Sequence, residues 1–253
     1  VLLLPFALAR RAWRARRQPG ALGHLGGRFG AAPRRGEAPV LWIHAVSVGE
    51  TRAAAPLVSL LARDFPGARI LLTHMTPTGR ATGIELFGDR VDRAWLPWDA
   101  GFAVRRFLDR TRPSFGILLE TEIWPNLLAE CRARRIPVFL VNARLSARSA
   151  AGYARLAGLA REALGHLAGV AAQTAGDAAR LEALGARDVA VTGNIKFDLE
   201  VPADTGAKAA SLRALAARCT AWSRASARSR ERGSGTGPVK TSDGSGVADG
   251  ADS

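Results

Sequence analysis

The run Ala45-Val46-Ser47-Val48-Gly49-Glu50 sets an acidic side chain on a turn of small residues. The apolar stretch Val40-Leu41-Trp42-Ile43 precedes it, and a helix-like segment from Thr51 to Arg63 follows. Open α/β sheets hold their reactive groups at such turns, beyond the carboxyl end of a strand. The nearby helix dipole is expected to favour the ionised carboxylate, and a fixed, ionised carboxylate is what a general base requires. On this segment alone a second reading stays open, in which Glu50 is an ordinary first-turn helix residue.

A second acidic cluster, Glu120-Thr121-Glu122-Ile123-Trp124-Pro125-Asn126, follows the apolar run Phe115-Gly116-Ile117-Leu118-Leu119. Pro125 suits the first position of a helix, where its missing N–H would have gone unpaired anyway. Two strand-to-helix turns therefore present carboxylates, and in a parallel sheet both fall on the same edge.

The elements that must position these groups alternate. Apolar, β-branched runs at Val40–Ile43, Ile70–Thr73, Ala94–Leu96, Phe115–Leu119, Val138–Val141, Val170–Ala172 and Val189–Thr192 predict strands. Between them, Thr51–Arg63, Pro77–Phe87, Gly101–Arg110, Pro125–Arg134, Gly152–Leu167 and Ala175–Leu184 predict helices. This alternation predicts a mainly parallel, Rossmann-like α/β sheet with helices on both faces.

The motifs Ser47-Val48-Gly49-Glu50-Thr51, Met75-Thr76-Pro77-Thr78-Gly79, Glu120-Thr121-Glu122-Ile123-Trp124-Pro125-Asn126, Asn142-Ala143-Arg144-Leu145-Ser146-Ala147-Arg148-Ser149 and Thr192-Gly193-Asn194-Ile195-Lys196-Phe197-Asp198 occur in this order. Together they resemble the 3-deoxy-D-manno-octulosonic acid (Kdo) transferases of lipopolysaccharide synthesis, from about Leu2 to about Leu215. That span corresponds to the N-terminal, acceptor-binding half of a two-domain GT-B glycosyltransferase. The resemblance implies transfer of Kdo from CMP-Kdo to a lipid A precursor, with no further cofactor and no metal. It assigns Glu50 as general base, and Glu120 and Lys196 as groups that stabilise the transition state. Glu122, Asn126, Asn142 and Arg144 are weaker candidates for acceptor contacts or for shaping the cleft. Arg144, Arg148 and Arg155 are of the type that meets phosphates. Trp98 and Trp124 either stack on sugar or support the turns. Lys196 is one of only three lysines in an arginine-rich chain, and Lys and Arg are not interchangeable as local charges.

The chain has 253 residues, 47% of them hydrophobic, and a formal charge of +14. That charge favours anionic partners without choosing among them. A basic nucleic-acid-binding protein is the alternative of a different class, and a non-catalytic fragment is a third. Against nucleic acid, the arginines are scattered, and no module with interleaved aromatics is present. Cys131 and Cys219 are the only cysteines, too few for a disulfide framework, so a reducing compartment is expected. His24, His44, His74 and His166 lack metal-ligand spacing. His44 alternates within a strand and reads as a core histidine with its hydrogen bonds satisfied.

Three regions are expected: a basic membrane-proximal segment 1–35, an acceptor domain 36–215 and a disordered tail 216–253. In the first, Val1–Ala9 is apolar and is followed by Arg10, Arg11, Arg14, Arg16 and Arg17, the reverse of a signal peptide. With Trp13 as anchor it suits an anionic membrane surface, or else a helix packed on its own domain. The resemblance favours the membrane and places the chain at the cytoplasmic face of the bacterial inner membrane. From Arg218 to Ser253 there is no Leu, Ile, Phe, Met or Tyr, so this stretch cannot bury enough apolar area to fold. A shifted reading frame in a GC-rich gene would produce such a tail, and a genuine disordered tail is the alternative. In the resembling family a donor-binding domain would stand here, so the chain as given is expected to be close to inactive, with an exposed interface patch. No oligomeric state is implied.

Overall fold

The computed structural model describes residues 25–34 and 36–195. Lys196, the arm around Trp13, Cys219 and the tail lie outside them. A short helix, α1 (Leu25–Arg28), leads into the sheet. The order is then β1 (Val40–His44), α2 (Val48–Ala53), α3 (Ala55–Asp64), β2 (Arg69–His74), α4 (Pro77–Phe87), β3 (Asp92–Trp95), α5 (Gly101–Thr111), β4 (Phe115–Leu119), α6 (Pro125–Ala133), β5 (Val138–Ala143), α7 (Ala147–Ala154), α8 (Ala157–Gly165), β6 (Gly169–Ala172), α9 (Ala175–Ala183) and β7 (Val189–Val191).

The seven strands form one sheet in the order β3-β2-β1-β4-β5-β6-β7. Every pairing is parallel. The Rossmann-like expectation is met, with helices on both faces. One face buries Trp42, Leu71, Phe107, Leu118, Leu140 and Leu164. The other buries Ile43, Leu57, Leu61, Leu72, Phe115 and Phe139. Each fully buried Leu or Phe stabilises the fold by about 1.5–3 kcal/mol. Trp42 needs room on its face. A Cβ at Gly116 on the neighbouring strand would stand 2.5 Å from its ring, and the Trp42 indole N–H donates to Thr73 Oγ1 at 2.8 Å.

This strand order fixes where a ligand can sit. Chain progression reverses between β1 and β4, and the helices after these two strands depart to opposite faces. The crevice so opened at the carboxyl edge is where doubly wound sheets bind ligands. The Ser47–Glu50 turn follows β1 and the Glu120–Trp124 turn follows β4, so both acidic turns border this one point.

Several boundaries differ from expectation. The helix expected over Thr51–Arg63 is two helices, α2 and α3, meeting at Ala54. Pro56 has no N–H for a continuing ladder and sits instead in the first turn of α3. The helix expected over Gly152–Leu167 begins earlier, at Ala147, and breaks at Arg155–Leu156. Residues 25–34 also pack on the domain. Arg28 is buried and donates to the carbonyls of Leu96 (3.1 Å) and Met75 (2.6 Å).

Candidate active site

Ser47 caps α2 with an extended backbone, and the N–H of Glu50 approaches its Oγ at 3.4 Å. The Glu50 side chain turns back into the same turn. Its Oε2 accepts from the N–H of Val46 at 2.8 Å, and its Oε1 accepts from the Ser47 hydroxyl at 2.7 Å. This is a capping box, and it holds the carboxylate in one orientation. Glu50 is only 7% exposed, and among the described residues no cation pairs with it. The expectation that the helix dipole would favour its ionised form is corrected here. Burial pushes its pKa above the usual carboxylate value and the charge of Glu120 adds to the rise, against the bonds from Val46 and Ser47. The helix is six residues long, and burial opposes the charge that its N-terminus would favour.

The same spacing recurs at the start of α9 with the opposite electrostatic result. Thr174 Oγ1 accepts from the N–H of Asp177 at 3.1 Å and donates to its Oδ2 at 2.5 Å. Asp177 Oδ1 accepts from the N–H of Leu145 (2.9 Å) and from Arg180 (3.1 Å). Burial would raise the Asp177 pKa, but the bonds from Thr174, Leu145 and Arg180 hold it below the usual value. Asp177 is a capping residue with an arginine partner. Glu50 is a capping residue on which, among the described residues, carboxylates act.

The Met75–Gly79 motif braces the Glu50 turn. Thr76 caps α4 by accepting from Gly79 N–H at 3.1 Å, and its hydroxyl donates to the carbonyl of Val46 at 2.8 Å. A Cβ at Gly79 would meet that same carbonyl at 2.8 Å, so only glycine lets α4 approach this closely. Behind the turn, Thr51 donates to the Ser47 carbonyl at 2.8 Å, and His74 Nδ1 lies 3.0 Å from the carbonyl of Ala45. His44 is fully buried with Nδ1 on Thr73, while its Nε2 has no partner. It is therefore a core histidine, as expected, with only one nitrogen satisfied. Burial pushes its pKa down to about 3.

Across the crevice, Glu120 follows β4 in the left-handed region at φ 61°, and its N–H donates to the carbonyl of Val141 at 3.0 Å. Such a backbone is uncommon for a side chain other than glycine, asparagine or aspartate. Glu122 Oε2 accepts from the Trp124 indole N–H at 2.8 Å. Burial, then the charges of Glu50 and Glu120, raise its pKa to about 7. Glu50, Glu120 and Glu122 thus act on one another electrostatically. Tyr153 of α7 also feels Glu122, which adds to the effect of burial in raising its pKa. Trp124 supports the turn and packs against the core. Trp98 meets Phe29 edge-on at 5.3 Å.

The weaker candidates fall into different roles. The Asn126 amide donates to the carbonyl of Asp99 (2.8 Å) and to its carboxylate (3.2 Å). That carboxylate also takes the N–H groups of Asn126 and Leu127, at 3.0 and 2.8 Å, so Asp99 caps α6 from a distant loop. Asn142 is buried, with φ 57°, where the β5–β6 register shifts between Val141 and Ala143. Its Oδ1 accepts from the N–H of Ile195, the residue before Lys196. Arg144, Arg148 and Arg155 are exposed, and the Thr121 hydroxyl donates to the Arg144 carbonyl. Sequence reasoning missed Arg28, Asp99, Tyr153 and Asp177. Only the Thr174-Ala175-Gly176-Asp177 spacing carried a local signal, that of a capping box.

A cavity of about 760 Å³ lies elsewhere, along α5 between Arg34, Glu37, Phe102, Arg106 and Arg110, and the motif carboxylates do not line it. The candidate site is the open edge of the sheet. Among the described residues no group of His, Cys, Asp or Glu gathers into a metal cage.

A family model described as 3-deoxy-D-manno-octulosonic-acid transferase (kdotransferase) matches residues 23–199. A 3-deoxy-D-manno-octulosonic acid transferase of Bordetella pertussis is 49% identical over 201 residues, covering 75% of this chain and 46% of that protein. One of Haemophilus influenzae is 40% identical over 177 residues, covering 69% and 42%. The chain thus spans less than half the length of these relatives. Among solved structures, UDP-GlcNAc 2-epimerase from Neisseria meningitidis bound to UDP-GlcNAc is similar at 17% identity with a TM-score of 0.45, over 62% of this chain and 46% of that one.

Proposed function

The chain belongs to the Kdo transferase family, and from that premise we propose that it forms the acceptor half of a GT-B enzyme moving Kdo from CMP-Kdo to a lipid A precursor. The acceptor hydroxyl attacks the anomeric carbon of Kdo. The new C–O bond forms as the bond to the CMP phosphate breaks, the electron pair leaves with CMP, and the hydroxyl proton passes to Glu50. One observation carries this reading. Glu50 is buried at the switch point, oriented by Val46 and Ser47, and has a raised pKa. A base works best when its pKa approaches the operating pH, and burial among carboxylates moves Glu50 in that direction.

Glu120 stabilises the positive charge that develops at the sugar, and Lys196 the negative charge on the departing group. Glu122, with a pKa near 7, sits where it can exchange protons with the same crevice. Asn126 and Asn142 shape the site through Asp99 and Ile195. The arginines at 144, 148 and 155 are available to acceptor phosphates. No helix among the described residues is long and apolar enough to cross a membrane. Attachment at the inner face of the cytoplasmic membrane would rest on the basic arm before Leu25.

The test is transfer from CMP-Kdo to a lipid A precursor, by this chain alone and by this chain joined to the second half of the Bordetella pertussis relative. The joined protein is expected to transfer Kdo, and the chain alone to do so barely or not at all. Glu50→Gln in the joined protein should lower kcat by about 10²–10⁴-fold with acceptor KM little changed. An unchanged kcat removes Glu50 from the role of base.

A further inference from the structure

We propose that Arg80 and Arg93, set about Trp95 at the free edge of the sheet, form a binding site for a phosphate monoester. The inference does not depend on the transferase reading. β3 is the edge strand, and Trp95 ends it. The Arg80 guanidinium lies 5.6 Å from the centre of the Trp95 ring, and the buried Arg28 guanidinium lies 5.0 Å from it. Arg93 stands two residues before Trp95 on the same strand, and therefore on the same face. His74, in register with Trp95 on the neighbouring strand, faces the cluster as well. Its pKa is driven down to about 4 by burial first, then by Arg80 and Arg93.

Two features of this cluster fit it to an anion. Arg80 Nη1 and Arg93 Nε are buried without a hydrogen-bond partner, and Arg93 Nη2 reaches only the carbonyl of Gly88. Among the described residues neither guanidinium makes an ion pair. Buried N–H groups left unpaired are costly, and so are like charges held together. In keeping with this, Arg80 is held below its usual pKa by burial and then by Arg93.

The chemistry of the gap selects the ligand. Arg80 and Arg93 act on one another and make no ion pair among the described residues, so a doubly charged anion is matched better than a singly charged one. Guanidinium forks pair with tetrahedral oxyanions, and a phosphate monoester offers enough oxygens for Arg80 and Arg93 together. A carboxylate has two oxygens and one charge. The Trp95 ring beside Arg80 favours the guanidinium by a cation–π contact at 5.6 Å.

Calorimetric titration of the 253-residue chain with inorganic phosphate and with glycerol 3-phosphate tests this, beside Arg80→Gln, Arg93→Gln and Arg80→Lys. Arg63→Gln, at an exposed arginine paired with Asp64, is the control. Saturable binding is expected for the parent and the control. Each Gln variant should weaken it about tenfold or more, the size of one lost charge-assisted bond, and Lys should recover only part, because it keeps the charge without the fork. Circular dichroism establishes that each variant is folded. If Arg80→Gln does not fold, Arg93→Gln and Arg80→Lys carry the test. Flotation with phosphatidylcholine vesicles carrying phosphatidic acid or phosphatidylglycerol distinguishes the source. A variant effect confined to phosphatidic acid vesicles assigns a lipid headgroup, and one confined to the soluble phosphates assigns a free phosphoester. The proposal is overturned if the parent shows no saturable binding in any arm, or if the variants bind as the parent does.

Discussion

Asn142 Oδ1 accepts the backbone N–H of Ile195 at 3.1 Å, tying the end of β5 to the residue immediately before Lys196. The contact exists because Asn142 takes a left-handed backbone at φ 57°, which turns its side chain at the β5–β6 irregularity. Two variants separate these effects. Asn142→Gly loses the bond but tolerates the backbone, and should cost about 1–3 kcal/mol. Asn142→Ala should cost about 1–2 kcal/mol more, because alanine resists that backbone. Urea unfolding measures both. Equal stability of the two variants would mean that the backbone conformation carries no strain.

The neighbouring carboxylates give a second prediction. Glu122 titrates near 7 because of burial and then because of the charge of Glu50. Glu50→Gln keeps an acceptor for Val46 N–H but removes that charge. Carbon-detected NMR titration should show the Glu122 pKa falling, while burial still holds it above 4.5. An unmoved titration would show that the two side chains do not face one crevice.

Stability should follow pH in two opposed directions. The folded-state value of Glu122, about 7, lies above its ordinary 4.5, so the folded form takes up the proton first. Its contribution is full below about 4.5 and is lost as pH rises through 7. His44 and His74 behave oppositely. Their folded values of about 3 and about 4 lie below 6.5, so their contribution is present above 6.5 and lost as pH falls. Glu122→Gln should therefore gain stability over the parent at pH 8 and lose that advantage by pH 4.5. The difference between the two urea midpoints across pH isolates this group.

How much of this was legible in the sequence depended on the range of the interaction. The strands and both acidic turns could be read because each is a local pattern, an apolar run followed by small or acidic residues and then a helix. Pro56 marked the break between α2 and α3, but the apolar spacing from Thr51 to Arg63 masked it. The burial of Arg28 could not be read, because its partner Leu96 lies 68 residues away. Nor could the capping of α6 by Asp99, 27 residues before Asn126. The raised pKa of Glu50 escaped for the same reason. The helix dipole is local, whereas burial and the charge of Glu120 arise only once β1 and β4 are neighbours.

Bracing of the Glu50 turn can be tested at Thr76, whose hydroxyl serves both the α4 cap and the carbonyl of Val46. Thr76→Val keeps the shape and removes both bonds. A loss of about 1–2 kcal/mol is expected, with faster hydrogen exchange at the Val46 amide, which is held by Glu50. Gly79→Ala should act on the same turn by pushing against the Val46 carbonyl. Exchange at Val46 as slow as in the parent in both variants would mean that α4 does not brace the turn.

The last prediction compares the two capping boxes. Asp177 is stabilised by Arg180 and by the N–H of Leu145, and its pKa is lowered. Its contribution is present above its ordinary pKa and lost as pH falls, so Asp177→Asn should cost about 1.5–3 kcal/mol at pH 7. Glu50 occupies the same position in its box, yet burial and Glu120 work against its charge. Glu50→Gln should therefore be neutral or stabilising at pH 7, as expected where a charge is held for chemistry at the expense of stability. Thermal or urea unfolding of the two variants side by side decides the matter. A Glu50→Gln loss as large as that of Asp177→Asn would make Glu50 a structural cap and take away the physical basis for its role as base.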